Sequence, residues 1–313
     1  MRRRAVGAVL RAARRGSVSD ESFAQRAQVS RSEPKASKGQ HVGERSPSGR
    51  AQRIVSLVPS LTEALFDLGL GARVVGVTDW CVHPADQLAE LPRVGGTKNP
   101  ALERVIGLAP DLVIANREEN RERDVERLRA AGIPVWVTYP RTVAEGVALV
   151  RELAALGAPP QRAEPLVRGL ERALEGALAA PVHPTRVFCA IWKRPWMAVG
   201  ADTYADDLLR VCGGLNVFGA RGERRPEGRA ERRYPIVDEA AIEAAQPEVI
   251  LLPDEPYAFG ARDIEELAAL ATPASASGRI HGLDGTLVSW YGPRIACAIE
   301  RISALLAAPV PKA

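Results

Sequence analysis

The stretch PQRAEPLVRGLERALEGALAA, Pro160 to Ala180, decides how the chain is divided. Apolar residues recur at Leu166, Leu170, Ala173, Leu174, Ala177 and Leu178, a helical period that defines one stripe. Arg168, Glu171, Arg172 and Glu175 fall between them. Their spacing of three pairs Arg168 with Glu171 and Arg172 with Glu175 on the wet face. A start near Glu164 places Pro165 in the first turn, where its missing N–H costs no internal bond. Pro181 and Pro184 end the helix. Some 16 to 20 residues at ~1.5 Å each give a rod of roughly 24–30 Å, about the width of a small domain.

On both sides of the rod, strands alternate with helices. Before it, Ile54–Val58 is β-branched and buried in character. Ser60-Leu61-Thr62-Glu63 then reads as a capping box opening a helix. Strands follow at Arg73–Val77, Asp111–Ala115 and Pro134–Thr138. After the rod come strands at Val187–Ile191 and Val249–Leu252, helices at Tyr204–Cys212 and Glu239–Ala245, a charged loop at Ala220–Arg233 and a last helix to Leu306. Alternation of this kind makes parallel sheets covered by helices. The two sides also match in detail. The segment from Leu102 through Pro110-Asp111 to Ile114 lies over that from Glu239 through Pro247-Glu248 to Leu251. Each is a short helix, then proline and an acid, then a buried strand. The fold class is therefore α/β, with two Rossmann-like lobes joined by a single long backbone helix. The divisions fall at 1–52, a basic disordered tail; 53–141, the first lobe; 142–184, the helical linker; 185–308, the second lobe; and 309–313, a short tail.

The net charge of +4 conceals an asymmetry. Residues 1–50 hold 12 Arg/Lys against 4 Asp/Glu, a balance of +8, and the rest hold 30 against 34, a balance of −4. The body thus gives no argument for nucleic-acid binding. The four cysteines are scattered without a Cys-x-x-Cys pair and read as reduced thiols. The run Ala5–Leu10 is too short for a secretory signal, so the expected location is cytoplasmic, or periplasmic or cell-surface if the true start lies elsewhere. No catalytic signature appears: there is no phosphate loop, dinucleotide turn or nucleophile elbow.

Ligands of open α/β sheets sit beyond the carboxyl ends of the strands. That rule selects the loops at 78–84, 95–100, 116–120, 192–197, 254–257 and 289–294. They carry Trp80, Trp192, Trp196 and Trp290, with Tyr257 and Tyr291. Flat aromatic walls with few polar groups suit a large, partly apolar ligand, although each ring could equally pack a lobe rim. Cys81 and His83 could ligate a metal or simply shape a loop, and His83 is a candidate axial ligand to a metal-bearing molecule. Lys98, Lys193 and Arg194 could hold ligand carboxylates or form a solvated rim, and Asn99 of the 95–100 loop is a further ligand-binding candidate. Glu118 and Glu119 could accept ligand amides, or simply be solvated acids.

Several segments resemble a family. Arg53-Ile54-Val55-Ser56-Leu57-Val58-Pro59-Ser60-Leu61-Thr62-Glu63, the loop from Gly76 to His83-Pro84, Leu102-Glu103-Arg104 through Pro110-Asp111, and Leu208–Val217 are similar to class III periplasmic binding proteins. These are the helical-backbone receptors of ABC importers for cobalamin, haem and ferric siderophores. The similarity spans about 53–306, with the cobalamin-binding branch nearest in pattern. It implies a metal-chelate ligand held between two lobes with little hinge motion, no tightly bound cofactor, and a monomer that works with an ABC permease. It also implies ligand stacking by Trp80, ligand contact by Trp290, and docking on the permease by Glu103. The segment from Trp290 to Ile295 is shorter than the family's, and the second docking acid has no counterpart. A cytosolic carrier or sensor without a permease would fit those departures. An enzyme acting on the chelate through Asp79, His83 or Glu119 is the remaining alternative.

Overall fold

The computed structural model describes residues 50–180, 184–219 and 233–307. Most of the basic tail, Pro181, most of the 220–233 loop and the last residues fall outside them. The expectation of a disordered tail falls almost wholly outside the described residues, and the part that is described, from Arg50, packs on the first lobe. Ala51 is buried, its carbonyl accepting from Arg73, and Gln52 N–H donates to Asp111 at 2.7 Å.

The first lobe is built on β1 (Ile54–Ser56), β2 (Val74–Val77), β3 (Leu112–Asn116) and β4 (Val135–Thr138). They form one parallel sheet in the order β2-β1-β3-β4. Its helices are α1 (Pro59–Asp67), α2 (Ala85–Leu88), α3 (Leu102–Gly107) and α4 (Glu122–Ala130). The capping box is not formed. Pro59 takes the first position of α1 and Val58 its N-cap, two residues earlier than the sequence suggests. Ser60 Oγ has no hydrogen-bond partner among the described residues, and Glu63 is engaged elsewhere.

α5 (Val143–Ala155) leads into the rod, α6 (Pro160–Ala179). α6 is 20 residues long and starts four residues before Glu164, so Pro165 lies inside it. Ala163, Val167 and Leu170 are its buried positions, whereas Leu178 is exposed, because α6 packs on α5 and α12 (Ile295–Ala307) mainly through its first half. Its ion pairs also differ from the i,i+3 expectation: Arg168 bonds Glu164 one turn back at 2.9 Å, and Glu171 pairs with Arg151 of α5. Between α5 and α6, Gly157 adopts φ +105°, a left-handed conformation suited to glycine at a helix end. Arg73 clamps that turn to the first lobe through the carbonyls of Leu156 (2.8 Å) and Gly157 (3.1 Å).

The second lobe contains β5 (Thr185–Trp192), β6 (Trp196–Ala198), α7 (Tyr204–Val211), β7 (Gly214–Asn216), β8 (Ile236–Val237), α8 (Glu239–Ala245), β9 (Val249–Pro253), α9 (Ala261–Ala268), α10 (Pro273–Ala276), β10 (Ile280–Leu283) and α11 (Thr286–Ser289), and α12 closes it. Its sheet runs β10-β9-β5-β6-β8, with β7 paired to β5. β10, β9, β5 and β7 are parallel, whereas β6 turns back antiparallel to β5 and β8 pairs antiparallel with β6 to extend the edge. Sequence reading takes 192–196 as a loop, but only Lys193, Arg194 and Pro195 turn.

The internal match has a physical basis. Ala109 and Gln246 hold equivalent left-handed positions at φ 44° before their prolines. Asp111 then accepts the Arg53 amide at 3.0 Å, as Glu248 accepts the Arg186 amide at 2.7 Å. The guanidinium of Arg53 returns to the carbonyls of Leu108 and Ala109, and that of Arg186 to those of Ala245 and Gln246. Each helix-to-strand turn is thus pinned to the first strand of its lobe.

One buried cluster runs from Ile54 and Ile114 through Leu153 and Leu170 to Val187, Leu251 and Ile302, joining both lobes. Separate clusters back the outer face of each sheet. A fully buried Leu or Ile in the shared layer contributes about 1.5–3 kcal/mol, so splitting the lobes there is costly and large hinge motion is disfavoured.

Candidate functional site

The carboxyl ends of the four strands of the first lobe deliver segments that meet the second lobe. Arg294, at the start of α12, grips Glu63 of α1 with two bonds of 2.8 and 2.9 Å. The Arg294 guanidinium also lies 4.9 Å over the ring of Trp290, which the imidazole of His83 meets edge-on at 6.0 Å. Tyr291 donates a long 3.4 Å bond to Glu119, and its ring abuts Tyr204. Burial, then Glu119, hold the Tyr291 phenol well above its ordinary range. Glu118 pairs with Arg233 and accepts from Tyr234 Oη at 3.2 Å.

Of the residues singled out in the sequence, Trp80 is 47% exposed and stands free to stack. Asn99 is exposed beside it. Gly96 has to be bare at this point, since a Cβ would lie 2.4 Å from Asn99 Oδ1 and 3.6 Å from Trp80 Nε1. His83 is exposed, Glu119 and Tyr257 are half-buried, and Trp290 and Tyr291 are buried with edges on this junction. Glu255 lies beneath: burial raises its carboxyl pKa, against hydrogen bonds from Ser289 and Trp290. Glu103 of α3 is 87% exposed, far from that cluster in role, with Arg127 4.0 Å away.

Others are placed differently. Cys81 is fully buried within hydrogen-bond distance of Thr62 and Thr78, each at 3.1 Å, and burial raises its thiol pKa. It is a packed thiol beneath the loop, not a metal ligand. Lys193 is buried, bonded to Asp263 at 2.6 Å and to Glu266, and lies over the ring of Trp196. Two acids occupy it, so it is not a rim cation. Trp192 and Trp196 are strand residues rather than loop residues. Trp196 stacks on Phe259, and Trp192 meets Tyr257 edge-on, both inside the second lobe. Lys98 spans the first lobe's own loops to the Glu118 carbonyl. Among the described residues no group of three or more His, Cys, Asp or Glu could hold a metal ion, and no helix is long and apolar enough to cross a membrane.

Sequence reasoning passed over Tyr139, Arg141, Arg233, Tyr234 and the Glu63–Arg294 pair. The strand-end rule applied to β4 would have drawn in Tyr139 and Arg141. Nothing local marks Glu63 or Arg294 as partners, because 231 residues separate them.

A two-lobed α/β chain with its strand-end loops converging between the lobes has counterparts among known proteins. A family model described as periplasmic binding protein matches residues 54–287. The chain belongs to that family. Among its relatives, the vitamin B12-binding protein of Pectobacterium carotovorum is 26% identical over 267 residues, 83% of this chain and 90% of that one. That of Pectobacterium atrosepticum is 28% identical over 208 residues, 64% of this chain and 71% of that one. The crystal structure of the periplasmic vitamin B12 binding protein of Vibrio cholerae matches with a TM-score of 0.70 and 25% identity, over 82% of this chain and 97% of the other. A periplasmic heme-binding protein from Roseiflexus in apo form matches with a TM-score of 0.68 and 27% identity, over 82% and 98%. These relatives are named as binding proteins rather than enzymes. They also overturn the expectation of a cytoplasmic location, since both solved relatives are periplasmic.

Proposed function

We propose that this protein is the periplasmic substrate-binding component of an ABC importer and holds a metal chelate, a corrinoid in first place, between its lobes. The observation that carries the reading is the meeting of His83 and Glu119 from one lobe with Trp290 and Tyr291 from the other, with half-exposed Trp80 on the same 78–84 loop as His83. Half-exposed Trp80 offers a stacking face to a flat macrocycle. Glu119 and Asn99 suit the amide groups around a corrin ring. The buried layer shared by the lobes favours a receptor that binds with small movements.

A haem is the second reading, favoured by exposed His83. Its imidazole is accessible and steered by Trp290, as an axial ligand to iron requires. Glu103 is assigned to docking on the permease because it is exposed on α3 and takes no part in the contacts between the lobes. The test is to mix the protein with cyanocobalamin or haemin and pass it over a desalting column. Retention of corrinoid absorbance at one ligand per chain supports the first reading. Retention of haem alone, lost on His83→Ala, supports the second, and retention of neither rejects both.

A further inference from the structure

Tyr139 follows β4 and carries three guanidinium groups around its ring: Arg233 at 5.3 Å, Arg117 at 5.6 Å and Arg141 at 5.8 Å from the centroid. Arg117 follows β3, Arg141 lies two residues after Tyr139, and Arg233 reaches across from the second lobe to the Tyr139 hydroxyl. Like charges gathered on one ring repel, and the acids nearby offset only part of that. Arg141 bonds Asp202 at 3.0 Å and Arg233 pairs with Glu118, while Arg117 pairs with no acid among the described residues. The Nε–H groups of Arg141 and Arg233 are buried and meet no acceptor among the described residues. Buried donors ordinarily find partners, so two orphans in one basic cluster point to an acceptor supplied from outside. Planar guanidinium groups match the paired oxygens of carboxylate and phosphate.

We propose that Arg117, Arg141 and Arg233 form a subsite for an anionic oxygen group on the rim of the bound chelate, with Tyr139 as its floor. The proposal rests on the reading that a chelate sits between the lobes. Two kinds of chelate carry such a group: the phosphodiester of a corrinoid's nucleotide loop, and the propionates of a haem. Each has a counterpart in which it is missing or masked, dicyanocobinamide in the first case and the haem dimethyl ester in the second.

The experiment measures Kd by titration for both pairs, using the full chain and its Arg117→Gln, Arg117→Lys and Arg141→Gln variants. Arg117 is exposed, so its replacement leaves the fold intact. The unaltered protein should prefer the anionic member of one pair by about tenfold, the scale of one charge-assisted hydrogen bond, and the preference should shrink with salt. Arg117→Gln should remove most of that preference without changing Kd for the neutral member, and Arg117→Lys should restore part of it. The corrinoid pair responding identifies the phosphodiester; the haem pair responding identifies the carboxylates. If the variants weaken both members equally, or neither, while the chelate still binds, the subsite is refuted and the binding function stands. If the unaltered protein binds no member of either pair, the binding function fails and the subsite with it.

Discussion

Replacing Arg294 by leucine should loosen the junction between the lobes, and the structure sets the size of the effect. The side chains of Arg294 and Glu63 are only 19% and 15% exposed, and their contact is bidentate. An exposed ion pair contributes under about 1 kcal/mol. Breaking a fully buried pair costs about 3–5 kcal/mol, because the remaining charge is stranded. The intermediate burial here places Arg294→Leu at about 2–3 kcal/mol, including about 0.5–1 kcal/mol from the cation over Trp290. Urea unfolding followed by tryptophan emission measures this directly. A cycle with Glu63→Gln should give a coupling of about 1–2 kcal/mol, since the double variant strands no charge. Asp67 supplies an independent readout. Burial and then Glu63 raise its pKa, and Arg294 opposes them. It should therefore rise further in Arg294→Leu and fall in Glu63→Gln, as followed by NMR titration. Additive single effects, or an Asp67 that moves in neither variant, would refute the argument that this pair fastens the lobes.

Lys193→Met should destabilise the second lobe by about 2–3 kcal/mol, since it strands Asp263 in a buried setting, yet leave chelate affinity unchanged; thermal unfolding and titration on one sample check both. The same cluster predicts an acid limb. Burial works to raise the Asp263 pKa, but Lys193 holds it below 3.8. Its stabilisation is therefore complete above the ordinary carboxylate range and lost as pH falls through the depressed value, below about pH 4. That limb should flatten in Lys193→Met. Thiol labelling should modify Cys297 alone in the native protein and all four cysteines after unfolding, because Cys81, Cys189 and Cys212 are buried; burial pushes the Cys189 thiol up to about 12. Glu103→Lys should abolish permease-dependent uptake in a reconstituted assay while leaving Kd for the chelate unaltered.

The architecture was legible because it rests on periodicity. The rod from Pro160, the alternating strands and the paired Pro110-Asp111 and Pro247-Glu248 turns all write themselves locally, and the last two even share their hydrogen-bond pattern. What escaped was tertiary. Ser60 and Glu63 have the spacing of a cap, but Pro59 starts the helix early and Arg294 claims the glutamate. Trp192 and Trp196 read as loop aromatics because β5 runs on to Trp192 and the three-residue β6 gives no periodic signal; the pairing of the two strands makes both residues part of the sheet, and both are buried. Lys193 looked like a rim cation because nothing local announces Asp263 and Glu266, some 70 residues on. The loop carrying Trp80 and His83 was legible as a segment following a strand, whereas Trp290 follows the short helix α11, which no periodic signal announces.

The central claim is that the lobe junction holds a chelate against Trp80, and a fluorescence titration with cyanocobalamin tests it most directly. Trp80 leaves about half its area open, of which a stacked ring would cover ~100 Å², worth at most about 2–3 kcal/mol. Saturable quenching at one ligand per chain is expected, with Trp80→Ala weakening Kd by about fivefold or more, the scale of a lost stacking contact. Quenching that is absent for cyanocobalamin and for haemin, or a Kd indifferent to Trp80→Ala, would contradict the account.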